Sequence, residues 1–140
     1  PPVTGNTGGT ELAVGEEADF KAAEAALEAG DFQRAVELFA AFDQSYPGSP
    51  LAAQANLNRG RALDGLGDTR EAARAYLASF SGNSTGPVAP VALFELGAAL
   101  GRLGQVSQAC VTLAEVAARF PAAADPVASA RGEMTALGCS

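Results

Sequence analysis

The 140-residue sequence has no histidine and no tryptophan, two cysteines and one methionine, and only 6% aromatic residues. Without histidine the commonest general base and the commonest transition-metal ligand are both missing. A nucleophile, base and orienting group would have to come from other side chains, and none stands in a catalytic motif. Cys110 falls within a helical pattern, and Ser84-Thr85 belong to a loop stretch without a base nearby. The sequence therefore reads as a non-enzyme without cofactor or metal. Basic residues are also scarce: nine Lys and Arg against sixteen Asp and Glu give a net charge of −7. That sign excludes nucleic acid and anionic membranes, whose affinity rests on neutralised phosphates. No apolar run reaches the ~18 residues of a membrane span, so membrane insertion is not expected.

What is present is 48% hydrophobic and 18% charged residues, enough apolar content for one folded domain. Much of it is alanine, a strong helix former that lets helices approach closely. This composition suits thin stacked helices better than a sandwich or barrel. Two cysteines, Cys110 and Cys139, leave open inert thiols, a metal pair or a disulfide. A metal site needs more ligands than the chain offers. The position of the pair near the ends of the last helical unit favours a disulfide, whereas in the cytosol it would stay reduced. The start at Pro1, with neither Met nor a signal peptide, reads as a mature or trimmed fragment.

Residues 1–15 (PPVTGNTGGTELAVG) are rich in Pro, Gly and Thr without a helical period, and read as a flexible linker. From Glu16 onward one interval recurs. Gly30, Gly67 and Gly104 are 37 residues apart, as are Ala35, Ala72 and Ala109, then Phe39, Tyr76 and Leu113, and Phe20, Leu57 and Phe94. So many matches at one period mark a repeat protein. Each unit reads as two helices, the first closed by the glycine, which adopts the left-handed conformation readily. Asp68 to Glu71 has capping-box spacing at the start of a second helix. The expected pairs are 16–29 with 32–45, 51–66 with 69–80, and 88–103 with 106–119. A last helix over about 126–137 follows Pro126, which suits a first helical turn, and covers the final unit.

The third unit carries Leu93-x2-Leu96-Gly97-x2-Leu100, then Ala109-x3-Leu113, then Pro121. It resembles the tetratricopeptide (TPR) pattern, with small Gly97 and Ala109 where paired helices cross and leucines filling the space around them. The second unit keeps Gly60, Leu63, Ala72 and Tyr76 but has Ser81-Gly82-Asn83-Ser84 in place of a terminal proline. The first keeps Ala23, Ala35, Phe39, Phe42 and Pro47. The resemblance implies an all-α, right-handed TPR superhelix of three helix-turn-helix repeats plus a C-terminal capping helix. The domain spans 16–140, with repeats at about 16–47, 51–84 and 88–121.

The 37-residue period exceeds the usual 34, the surplus falling in Tyr46-Pro47-Gly48-Ser49-Pro50 and its equivalents. Leu27-Glu28-Ala29-Gly30-Asp31-Phe32, Ser45 to Pro50 and Leu63 to Asp68 together resemble the C-terminal TPR domains of the YbgF (CpoB) family of Tol–Pal system proteins. The closing Ala109-Cys110, Arg119-Phe120-Pro121 and Leu137-Gly138-Cys139 resemble versions in which both cysteines occur together. The resemblance implies a periplasmic protein with an upstream signal peptide and a trimerising coiled coil joined by a low-complexity linker. It implies contact with TolA and the peptidoglycan synthase machinery, and a role in coordinating outer-membrane constriction with septal peptidoglycan synthesis. The Tyr-Pro-x-Ser-Pro turn also resembles the TPR lipoproteins of outer-membrane protein assembly, the alternative reading, which have more repeats and a lipidated N-terminal cysteine.

In stacked TPRs the first helices line a concave groove. Their outward turns place Phe20, Glu24, Leu27, Gln54, Leu57, Asn58, Arg61, Phe94, Ala98 and Arg102 there as partner-binding candidates. The alternative for Leu57 and Phe94 is packing between units; for the polar residues it is an ordinary solvated helix face. A carboxylate clamp needs Lys, Asn and Arg, but unit one has Phe20 and Glu24 at the matching places and Asn58 stands alone. The groove is therefore expected to take an apolar or mixed segment, anchored on Leu57 and Phe94 and oriented by Arg61 and Arg102.

Overall fold

The computed structural model describes residues 3–7 and 10–140. Its repeat begins with backbone conformation. Gly30, Gly67 and Gly104 have φ of 79°, 79° and 81°, a region that side chains with a Cβ rarely adopt. Each closes a first helix with a pair of reverse hydrogen bonds: Asp31 N–H to Ala26 C=O and Gly30 N–H to Leu27 C=O, with equivalents at Asp68 and Gln105. The chain then turns at once into the second helix, so each unit becomes a helical hairpin. Asp31 and Asp68 cap these second helices, accepting from Arg34 N–H at 3.4 Å and Glu71 N–H at 3.3 Å. The reciprocal half of a capping box does not form. Asp68 N–H is already committed to Leu63 C=O, and the Glu71 side chain pairs with Arg74 instead.

The helices are α1 (Glu16–Glu28), α2 (Phe32–Ser45), α3 (Ala52–Gly65), α4 (Thr69–Gly82), α5 (Ala89–Arg102), α6 (Val106–Arg119) and α7 (Ala124–Leu137). This is the expected all-α TPR architecture, with three hairpins and a closing helix. The fourth helix runs two residues beyond the expected 80, because its last turn follows the same register as α2 and α6 despite lacking their terminal proline. The last begins two residues before the expected Pro126, which sits in its first turn.

Each second helix crosses its partner over a small residue. A Cβ on Gly97 would lie 2.7 Å from Leu113 Cδ2, and one on Gly60 would enter the Tyr76 ring. Ala35, Ala72 and Ala109 are fully buried at the equivalent place in each unit. Three core clusters result, and each borrows from the next unit's first helix. Ala55 and Ala62 join the Phe20–Phe39–Phe42 cluster, and Ala92 and Ala99 join Leu57, Leu63 and Tyr76. Alanine at these seams lets neighbouring units approach closely, which is why the composition is rich in it.

The segment expected to be a linker carries local structure. Strands β1 (Val3–Thr7) and β2 (Thr10–Ala13) pair antiparallel, while Pro1, Pro2, Gly8 and Gly9 of that segment lie outside the described residues. Two features favour the hairpin: β-branched Val3, Thr4, Thr7 and Thr10, and complete burial of Leu12. Glu16, itself buried, ties it to the first unit by accepting from Ala13 N–H at 3.0 Å and from the Ser49 hydroxyl.

At the other end α7 departs from the repeat. It lies along α5 as well as α6, whereas α1 and α3 barely meet. Ser129 and Ala136, 37 residues beyond buried Ala92 and Ala99, are exposed; Val127 and Ala130 are buried in their stead. The face of α7 that would receive a second helix is rolled onto α5 and α6. Met134 and Leu137 pack against the third cluster, at the places where the complete third unit has Gly97 and Leu100.

Candidate functional site

The first helices α1, α3 and α5 supply the expected groove residues, and burial sorts these into two groups. Phe20 is 7% exposed and meets Phe39 and Phe42 edge-on, with ring centroids 5.9 and 5.6 Å away. Leu57, Asn58 and Ala98 are 2%, 4% and 4% exposed. The Asn58 Oδ1 accepts from the Gln54 side-chain amide at 3.0 Å. These four positions are enclosed by the stack and offer a partner almost no surface. For Leu57, expected as an anchor, burial matches the alternative of packing between units, while Phe20 packs on α2 of its own unit. Glu24, Leu27, Gln54 and Phe94 keep partial exposure, and Arg61 and Arg102 are exposed.

The two arginines are engaged within the chain. Arg102 Nη2 lies 2.9 and 3.0 Å from the two carboxylate oxygens of Asp64, which also accepts a hydrogen bond from the Tyr76 hydroxyl. Arg61 Nε lies 3.7 Å from Glu95 Oε2. Both pairs join α3 to α5 across the seam between units two and three. Burial, the Asp64 hydrogen bond and the nearby carboxylates push the Tyr76 hydroxyl far above its usual value, so it stays a donor. Burial likewise holds the Glu95 carboxyl above the ordinary carboxylate range, against the opposing pull of Arg61. Arg61 and Arg102 are therefore not free cations awaiting an acidic ligand. The Arg61 ion pair uses only Nε, and its other guanidinium N–H groups can still donate.

A cleft of about 180 Å³ opens beside this seam, between Arg61 of α3, Val91, Phe94 and Glu95 of α5, and Asp125, Pro126 and Ser129 of α7. Half-buried Phe94 gives it an apolar wall, and the Arg61–Glu95 pair forms a polar rim. A second depression of about 270 Å³ lies at the other end, on Glu17, Phe20, Lys21 and Glu24 of α1 together with Leu51. There burial, reinforced by Glu28, raises the Glu24 carboxyl above its usual value. Val91 and Glu95 were missed by sequence reasoning although a signal existed: they stand 37 residues beyond Gln54 and Asn58. The contribution of α7 had no such signal, because its roll breaks the repeat.

The expected disulfide is present: Cys110 in α6 and Cys139 after α7 are bonded, with Cα atoms 5.6 Å apart. Among the described residues no cluster of His, Cys, Asp or Glu is placed to hold a metal, and no helix is long and apolar enough to cross a membrane. The cleft combines one aromatic wall with a few side-chain donors and acceptors.

Comparison with known proteins agrees with the geometry. Two tetratricopeptide-repeat family models match, over residues 20–84 and 91–123. Among solved structures, a putative kinesin light chain with nearly identical TPR-like repeats from Podosopora anserina superposes with a TM-score of 0.63. It is 20% identical, covering 86% of this chain and 69% of that one. A single-substitution form of the same protein gives a TM-score of 0.64 at the same identity, covering 86% and 68%. At that identity the likeness speaks to fold alone. No curated protein sequence matches the chain. With both family models falling on the three helical hairpins, the chain belongs to the tetratricopeptide-repeat family, whose folds serve as protein–protein interaction modules.

Proposed function

We propose that this chain is the protein-binding module of a Tol–Pal-type envelope protein, working in the periplasm and holding a segment of TolA. In that role it helps coordinate outer-membrane constriction with septal peptidoglycan synthesis, with the synthase machinery as a further partner. The observation that carries the binding reading is the cleft walled by three helices from successive units, with Phe94 half-buried in it. Phe94 and Val91 are the apolar anchors, and unused Arg61 donors meet carbonyls of the segment. Glu24, Leu27 and Gln54 extend the contact toward the first unit.

The partner's identity rests on the resemblance of residues 27–32, 45–50 and 63–68 to the YbgF family. A disulfide bond is compatible with an oxidising compartment such as the periplasm. In this reading the segment of residues 1–15 joins the TPR domain to the rest of the protein. The test is interferometry between immobilised periplasmic TolA and the chain carrying Val91→Ala with Phe94→Ala, or Arg61→Glu. Folded variants should bind measurably more weakly than wild type; equal binding would move the site off the concave face.

A further inference from the structure

We propose that the Cys110–Cys139 disulfide is a redox latch that decides whether α7 stays docked as the wall of the concave cleft. The bond joins α6 to the residue just beyond Gly138, the left-handed closing residue of α7. It therefore fastens α7 at its C-terminal end.

Without the bond, α7 rests on fewer buried residues than α1, α3 or α5, its Met134 and Leu137 being only partly buried against the third cluster. It buries Val127 and Ala130, where α5 buries six residues. Gly132 sits in its middle with nothing within 4 Å of a would-be Cβ, so the glycine costs helix stability without serving a close contact. Its N-terminus has no side-chain cap. A helix with few buried apolar contacts belongs to the low-stability end of a fold and opens first. The bond lies outside the first two units, whose helices α1 to α4 pack on one another.

The bond is also within reach. Both cysteines are only partly buried and border an open depression of about 500 Å³ with Val106 and Met134. A dithiol reductant supplies the chemistry. Its thiolate attacks one cysteine sulfur, forming a mixed disulfide and expelling the other cysteine as a thiolate, which takes up a proton. The reductant's second thiol then displaces the first cysteine as its own disulfide closes, leaving two protein thiols and an oxidised dithiol. Release of α7 uncovers Leu93, Leu113 and Val116 of the third cluster and removes Asp125, Pro126 and Ser129 from the cleft. That last consequence bears on partner binding and rests on the function proposed above; the latch itself does not.

Hydrogen exchange on the full chain tests it directly, with no partner present. The oxidised chain is compared with the chain treated with dithiothreitol without denaturant, and with the Cys110→Ser/Cys139→Ser variant. The latch predicts labelling of two thiols under native conditions. It also predicts at least tenfold faster exchange over α7 in both reduced forms, unchanged exchange in α1 to α4, which α7 does not pack along, and recovery when the treated chain is reoxidised. A bond that yields only in denaturant overturns the proposal. So does faster exchange spread evenly over all helices, or α7 exchange that ignores the bond.

Discussion

Gly60 and Gly132 are both mid-helix glycines, yet the same change to alanine should move stability in opposite directions. Alanine in a helix interior gains up to ~1 kcal/mol over glycine. At Gly132 nothing lies within 4 Å of the new methyl, so the gain stands alone. At Gly60 the methyl would come within 3.0 Å of three atoms of the Tyr76 ring. That ring cannot retreat: Tyr76 is fully buried and its hydroxyl donates to Asp64, itself fixed by Arg102. Overpacking of this kind costs ~1–3 kcal/mol. Gly60→Ala should therefore lose about 1–2 kcal/mol net, a fall of roughly 3–8 °C in Tm for a domain this size. Gly132→Ala should rise by roughly 2–4 °C. Thermal and urea unfolding followed by circular dichroism, with hydrogen exchange over α7 for Gly132→Ala, read both. If Gly60→Ala is as stable as Gly132→Ala, Tyr76 does not pack over Gly60 and the helix crossing in unit two is wrong.

Ala109→Leu places a larger side chain at the fully buried crossing of unit three and should cost ~1–3 kcal/mol in urea unfolding. In the Cys110→Ser/Cys139→Ser variant the loss, up to ~3–4 kcal/mol by the chain-entropy estimate, should fall on the opening of α7, seen in urea as an early step ahead of a main transition that matches the oxidised wild type. Glu95 supplies a pH test. Burial makes its carboxyl bind a proton more tightly in the folded chain than in the unfolded one, so it costs stability as pH rises from the ordinary value of 4.5 through the raised one. In Glu95→Gln that cost disappears. The stability of the variant relative to wild type should climb as pH rises from the ordinary value through the raised one and then level off; a flat difference would place Glu95 in solvent.

Helix ends were readable within about two residues because glycines at a fixed interval close the first helices, and a left-handed closing residue is a local demand. The hairpin was not. Residues 1–15 look like a linker by composition, and what orders β2 is the tertiary burial of Leu12 and the Glu16 contacts. In the groove, helical spacing put the candidate residues on first helices but could not separate floor from surface. A first helix in a solenoid is covered by its own partner and by the adjoining helices of the stack, so Phe20, Leu57 and Ala98 vanish into the core from turns that look outward on a lone helix. The engagement of Arg61 and Arg102 was equally hidden, since Glu95 and Asp64 reach them only across the seam between units.

The central claim is that the concave face around Phe94 holds a segment of TolA. Titration calorimetry of the oxidised chain with periplasmic TolA, repeated with Val91→Ala/Phe94→Ala, tests it most directly. The account predicts saturable binding by wild type and a loss of about tenfold or more in the helical, folded double variant, the effect of removing apolar anchors together worth ~1.4 kcal/mol. No binding by wild type would contradict the choice of partner, and undiminished binding by the variant would contradict the choice of face.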